Sequence, residues 1–176
     1  MKVFIVLIGS IFLMACEKVP SKESPSTEIE TIEEPQVTRI TQSDIENLDY
    51  IEYVLSAASK KAVANWASYT ELENLIESIK NADISYFEGD EKIITALIQD
   101  LRSTIPEKVN NQSVTARISA LETKFHKLES AVRISKTPKT ELISTIKEFF
   151  ISFSNLNLQM NKKLEKDAQD ISKGNL

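Results

Sequence analysis

The side chains that could perform chemistry are few, and their number limits the reactions open to this protein. The chain of 176 residues contains one cysteine, Cys16, and one histidine, His126. One cysteine cannot form an intramolecular disulfide, and one histidine cannot build a multi-histidine metal site. The sequence also lacks a phosphate-binding loop, a glycine-rich dinucleotide motif and a Cys-x-x-Cys-His haem motif. We therefore predict no catalytic residue, no metal site and no cofactor, and we expect a protein that is not an enzyme.

His126 leaves a second hypothesis open. It follows Phe125 just off the apolar face of a predicted helix, and Glu122 lies four residues before it. A di-iron bundle needs a Glu-x-x-His motif on each of two helices, which this sequence does not contain. His126 and Met160 could instead be the two axial ligands of a haem held without covalent attachment. A half-exposed helical histidine without a ligand is the simpler interpretation.

The N-terminus has the pattern of a secretory signal. Lys2 precedes an apolar run over residues 3–12, which is shorter than the roughly 20 residues that span a bilayer. The sequence Leu13-Met14-Ala15-Cys16 that follows resembles the lipobox of bacterial lipoproteins. This resemblance implies cleavage before Cys16 and a diacylglyceryl group on its thiol. An ordinary signal peptide with a chance cysteine, or an uncleaved anchor, would be the alternatives.

A lipidated Cys16 would hold the protein at a membrane without any spanning helix, because two or more acyl chains anchor stably. The resemblance therefore implies a place in the bacterial cell envelope. We expect the outer membrane in preference to the inner one, and the leaflet stays open.

Residues 17–42 are expected to form a flexible acidic tether. They contain three prolines, six glutamates and only three basic residues, and they show no helical period. As a loose coil they would reach about 28 Å. The cluster Glu28, Glu30, Glu33 and Glu34 suits a solvated segment, although a sorting or partner-binding signal is an alternative.

The composition beyond the tether favours an all-α domain. Glycine occurs only three times in the chain, and only Pro106 and Pro138 follow the tether. Hydrophobic residues make up 41% of the chain, which is enough to form a core. The net charge of −5 argues against nucleic acid as a partner.

The first predicted helix is also the longest. Ser43 and Glu46 match a capping box, and no glycine or proline interrupts residues 43–82. Apolar residues recur there at steps of three and four, with a possible kink at Asn65-Trp66. The members of this stripe are Leu48, Ile51, Leu55, Ala58, Ala62, Tyr69, Leu72, Ile76 and Ile79.

Three further helices are predicted from caps and apolar spacing. Asp90 begins a short helix that Pro106 ends, residues 110–113 supply a loop and cap, and Thr137-Pro138 starts the last helix. The third and fourth helices have apolar residues at bundle spacing. These are Val114, Ile118, Leu121, Phe125, Leu128 and Val132, and then Leu142, Ile146, Phe149, Phe153, Leu156 and Met160.

The expected fold is an antiparallel bundle of four unequal helices, two of them long, after a disordered tether. The predicted domain boundaries are 1–15 for the signal peptide, 16–42 for the lipidated cysteine and tether, 43–172 for the bundle and 173–176 for a tail. Trp66, Tyr69, Tyr86 and Phe87 could line a pocket or an interaction surface, although core packing is the simpler interpretation.

Charge is unevenly distributed along the predicted helices. Residues 43–107 have a net charge of −8, whereas residues 108–139 have a net charge of +5. The simpler interpretation is that the third helix packs beside an acidic neighbour, the first or the second helix. The alternatives are head-to-tail association of two copies, or a basic face for an acidic partner.

Several segments resemble small, uncharacterised helical lipoproteins of Bacteroidota, some of which carry the label viral A-type inclusion protein. The segments are DISYFEGD at 83–90, TIPEK at 104–108, ALETKFHKLE at 120–129 and FSNLNLQMNKK at 153–163. The resemblance carries no catalytic or binding residue. We expect a non-enzymatic interaction or structural module with an envelope protein, or a second copy, as partner. A bundle that senses or binds a small apolar ligand or haem is the alternative.

Overall fold

The structure is a computed structural model that describes residues 39–174, with side chains up to residue 169. All regular secondary structure in this range is helical, so the predicted all-α class is confirmed. The signal peptide, Cys16 and the tether as far as residue 38 lie outside the described residues. The helices are α1 (Gln42–Glu46), α2 (Ala57–Val63), α3 (Ala67–Lys80), a 3₁₀ turn (Ser85–Glu88), α4 (Glu91–Ser103), α5 (Gln112–Arg133) and α6 (Lys139–Gly174).

Helices α5 and α6 form a hairpin around which the other elements pack. A connection of five residues, 134–138, joins them, and Phe125 meets Phe149 with ring centroids 5.8 Å apart. These two residues lie at similar distances from the connection, so the helices run in opposite directions. The predicted apolar spacing is confirmed on both helices. Its fully buried members are Val114, Ile118, Leu121, Phe125 and Leu128 on α5, with Ile146, Phe149, Leu156 and Met160 on α6.

Helix α4 and helix α5 begin where their cap residues predict. The Asp90 side chain accepts a hydrogen bond from the amide of Lys92 at 2.8 Å. The Asn111 side chain accepts one from the amide of Val114, also at 2.8 Å. Each bond satisfies an amide that has no partner within its own helix, which fixes the helix start.

The prediction of a single long helix over residues 43–82 is wrong. Residues 48–56 form an extended segment, called the strap below, between α1 and α2, and a turn at 64–66 separates α2 from α3. The predicted stripe holds in α3 and at Leu55, and Leu48 and Ala62 pack partly against the core. Ile51 is 70% exposed and Ala58 lies at the surface. The break beside Trp66 coincides with the predicted kink.

The strap is extended because it must cover a long path beside α6. The ring of Tyr50 contacts Phe150 at 5.7 Å, and the amide of Ser56 donates to Asn161 at 2.8 Å. The corresponding stretch of α6 rises about 16 Å at roughly 1.5 Å per residue. The six steps from Tyr50 to Ser56 cover that distance only if each residue rises about 2.7 Å. This rise is near that of an extended chain and well above the rise of about 1.5 Å in a helix.

The predicted capping box is displaced by two residues. Thr41, not Ser43, is the N-cap of α1, and its side chain accepts from the amide of Asp44. The Asp44 carboxylate accepts from the backbone amide of Thr41 at 2.7 Å, which completes the box. Between residues 39 and 174, none of the helices combines the length with the hydropathy that a membrane span requires.

Candidate functional site

The four predicted aromatic site residues separate into two groups. Trp66 stacks on Tyr69 with centroids 5.4 Å apart, and both rings are buried. Phe87 is buried against Phe125 at 5.2 Å, with Tyr86 edge-on to it at the surface side. The structure thus places three of the four side chains in the core, and their use as a pocket or an interaction surface stays a prediction.

The polar atoms of these aromatic residues have partners. The indole N–H of Trp66 donates to the Thr104 hydroxyl at 3.0 Å, which joins the start of α3 to the end of α4. The Tyr86 hydroxyl donates to Glu71 at 3.3 Å, and burial raises the pKa of Tyr86 to about 12. These bonds orient the rings as well as satisfying their polar ends.

A polar ladder on α6 holds the strap, and sequence reasoning missed it. The ladder consists of Ser154, Asn157 and Asn161, which lie three and four residues apart and so share one face of the helix. The side chain of Asn157 is buried and donates to the strap. The spacing of small polar residues beside an apolar stripe was the signal that could have revealed the ladder.

The ladder binds only main-chain atoms of the strap. Five hydrogen bonds between 2.6 and 3.1 Å run between its three side chains and the backbone of residues 51–56. Ser154 accepts from the amide of Tyr53 and donates to the carbonyl of Ile51. The ladder therefore holds the strap through its backbone and makes no hydrogen bond to the strap side chains.

Three apolar side chains of the strap are exposed. Ile51 is 70% exposed and Val54 68% exposed, while Tyr53 is 36% exposed. Leu55 is the strap side chain that enters the core. Exposed large aliphatic side chains are candidates for an interaction site, because their contact with water is unfavourable in free energy.

A cleft of about 420 Å³ lies between the strap, α2, α3 and α6. Lys80 bridges Glu52 of the strap at 2.8 Å and Glu77 of α3 at 3.0 Å across its edge. Glu73 also lines the cleft, and burial raises the pKa of its carboxyl group. The floor is apolar and includes Phe153 of α6.

His126 belongs to a polar chain at the end of α5. Its Nδ1 lies 3.0 Å from the Glu129 carboxylate, which also accepts from Arg133 at 3.2 Å. Met160 is eleven residues beyond Phe149, the ring that meets Phe125, so it lies about 16 Å further along α6. His126 and Met160 are thus too far apart to bind opposite faces of one haem iron. In residues 39–169, no cluster of three or more histidine, cysteine or acidic side chains could hold a metal ion.

The basic charge of α5 is offset chiefly by α6. Lys124 and Lys127 both contact Glu148 at 2.9 Å. The two ammonium groups, Lys127 foremost, hold the pKa of the Glu148 carboxyl group below its usual value. Between α4 and α5, the basic side chain belongs to α4 and the acidic one to α5, because Arg102 pairs with Glu122 at 3.4 Å. This is the reverse of the expected pairing of a basic α5 with an acidic neighbour.

Comparisons of the chain with family models, with curated proteins and with solved structures found no match.

Proposed function

We propose that this chain is a bacterial envelope lipoprotein whose helical domain is a non-enzymatic protein-interaction module. Cys16 carries the lipid, and the tether links it to residue 39, where the described domain begins. The partner is another envelope protein or a second copy of the chain. The lipobox resemblance at residues 13–16 supports the anchor and the envelope location, with the outer membrane preferred.

The observation that carries the interaction proposal is the exposure of two aliphatic side chains on the strap. Ile51 and Val54 are each about two-thirds exposed and lie within four residues of one another. The ladder on α6 keeps this stretch extended, so the two side chains stand on an ordered backbone. An ordered apolar surface loses less conformational entropy on binding than a flexible one.

The fold on which this surface stands is proposed as an antiparallel bundle of four members. Helix α3 takes the place of the long first helix, and α4, α5 and α6 are the other three. The short α1 and α2 and the strap then lie as a layer outside α3 and α6. This arrangement leaves the strap accessible to a partner.

A small-ligand role is the second candidate, and the cleft beneath the strap favours it. The cleft has an apolar floor with the charged groups of Lys60, Glu73 and Lys80 around it. Such a mixture suits a small molecule with an apolar body and a charged end. Saturable binding of such a compound, abolished by filling the floor of the cleft, would support this role.

A photo-crosslinking amino acid placed at Val54 in cells tests the interaction proposal. We expect a discrete protein adduct at Val54 and none at Ile134, which is 57% exposed and serves as the matched control. An adduct of twice the mass of the chain identifies a second copy as the partner. No adduct at Val54, or equal adducts at both positions, would contradict the proposal.

A further inference from the structure

The strap has the sequence of a helix but the conformation of an extended segment. Its apolar residues Leu48, Ile51 and Leu55 continue at helical spacing into α2, and no glycine or proline lies between Gln42 and Val63. Helices border it on both sides. The apolar spacing and the observed conformation therefore disagree over these nine residues, and contacts from elsewhere in the fold must decide between them.

For the strap backbone, the contact is the ladder of Ser154, Asn157 and Asn161. Side chains add to it through the Tyr50–Phe150 contact, the Glu52–Lys80 ion pair and the burial of Leu55. The ladder supplies five of the six hydrogen bonds that the backbone of residues 51–56 makes within the described part of the chain. The sixth, from the amide of Lys60 to the carbonyl of Ser56 at 2.9 Å, belongs to the start of α2. The extended state has a cost, because it leaves Ile51 and Val54 in water. In a helix, the strap backbone would bond to itself and would no longer need the ladder.

We infer that the strap is a two-state element, extended while the ladder on α6 holds it and helical when the ladder lets it go. In the helical state residues 42–63 would form one continuous amphipathic helix. The ends of the strap would then move about 10 Å closer together, since each residue would rise about 1.5 Å instead of about 2.7 Å.

This inference goes beyond the proposed function, since it depends on neither a lipid anchor nor a partner. It has a consequence for the exposed apolar side chains. Ile51, Val54 and Leu55 are three and four residues apart along the chain and would share one face of the new helix.

Distance measurement between two spin labels on the full chain tests the inference. The labels replace exposed residues on either side of the strap, as Glu46→Cys and Ala58→Cys, with Cys16→Ser to leave only these two thiols. We expect roughly 25–30 Å in the extended state and about 18 Å in a continuous helix.

The releasing variant is Ser154→Ala/Asn161→Ala. It removes four of the five ladder bonds but keeps Asn157, so the buried hydroxyl of Tyr69 retains its partner. Loss of each bond should change the ratio of the two states roughly fivefold. We expect the 18 Å distance to become prominent, with a gain in far-ultraviolet helix signal equivalent to about nine residues. Asn155→Ala, on the same helix but outside the ladder, should change neither.

Proline identifies the source of any new helix signal. Adding Val54→Pro to the releasing variant should restore the long distance, because proline is incompatible with a helix interior and the amide of Val54 has no partner in the described residues. A long distance that persists in the releasing variant, or a broad distribution without helix gain, would overturn the inference. If the double variant loses its fold, Asn161→Ala alone should show a smaller shift in the same direction, and no shift would also overturn it.

Discussion

The hydroxyl of Tyr69 donates a hydrogen bond of 2.7 Å to Oδ1 of Asn157 in the interior of the domain. The Nδ2 amide of the same Asn157 donates to the carbonyl of Tyr53 in the strap at 3.1 Å. The side chain of Asn157 thus provides a hydrogen-bond partner both for a buried hydroxyl and for a backbone carbonyl of the strap. Burial raises the pKa of Tyr69, which keeps the hydroxyl protonated and able to donate.

Asn157→Ala should lower the free energy of unfolding by about 2–3 kcal/mol, because it leaves a buried hydroxyl and a strap carbonyl without partners. Urea unfolding followed by circular dichroism measures this change. Asn155→Ala is the matched control and should change stability by no more than about 0.5 kcal/mol. Equal effects of the two substitutions would show that the Tyr69–Asn157 contact contributes little.

Phe125→Ala should be among the most destabilising single changes. The ring is fully buried, and it contacts Phe87 at 5.2 Å and Phe149 at 5.8 Å, so its removal opens a cavity between α5, α6 and the 3₁₀ turn. We expect a loss of about 3–5 kcal/mol in the free energy of unfolding, measured by urea titration. Ile93→Ala, at a position 60% exposed, should have little effect. A small loss for Phe125→Ala would mean that the hairpin core is packed differently.

The pair of Lys139 and Asp44 should give stability a specific dependence on acid pH. Lys139 at 2.7 Å, helped by Thr41, lowers the pKa of the Asp44 carboxyl group from 3.8 to about 2. Because the pKa is lower in the folded state, the contribution to stability is present above about pH 4. It is lost as the pH falls from about 4 toward 2.

Lys139→Met should return the pKa of Asp44 toward 3.8 and make unfolding less steeply dependent on pH in that window. Carbon-detected NMR titration of the Asp44 carboxyl group measures the midpoint directly. Lys136→Met, at an exposed position near the start of α6, should leave the Asp44 midpoint unchanged. A titration midpoint near 3.8 for Asp44 in the unsubstituted protein would contradict the ion pair between Lys139 and Asp44.

Cys16→Ser should release the protein from the membrane fraction, since the proposed anchor depends on acyl chains attached to that sulfur. Fractionation of cells, with metabolic labelling by a fatty acid, measures both attachment and lipid. We expect complete loss of label and a shift to the soluble fraction. Ser21→Ala, which follows the proposed lipid site within the tether, should leave both unchanged. A Cys16→Ser protein that stays with the membrane would exclude the lipoprotein proposal.

The sequence by itself determined the all-α class and the positions of α4, α5 and α6. Asp90 and Asn111 mark the starts of α4 and α5, and apolar residues at steps of three and four mark the buried faces of α5 and α6. Caps and helical spacing are local properties, because each involves residues within one or two turns. They could therefore be predicted without knowledge of the neighbouring helices.

Only the tertiary structure decided the conformation of residues 48–56. Their local pattern is helical, but the path from Phe150 to Asn161 along α6 is too long for a helix of that many residues. The side chains that compensate the extended backbone lie about a hundred residues away in the chain, at Ser154, Asn157 and Asn161. No local pattern in the strap encodes a partner so distant, so the exposed apolar surface that we propose for interaction exists only because of the fold.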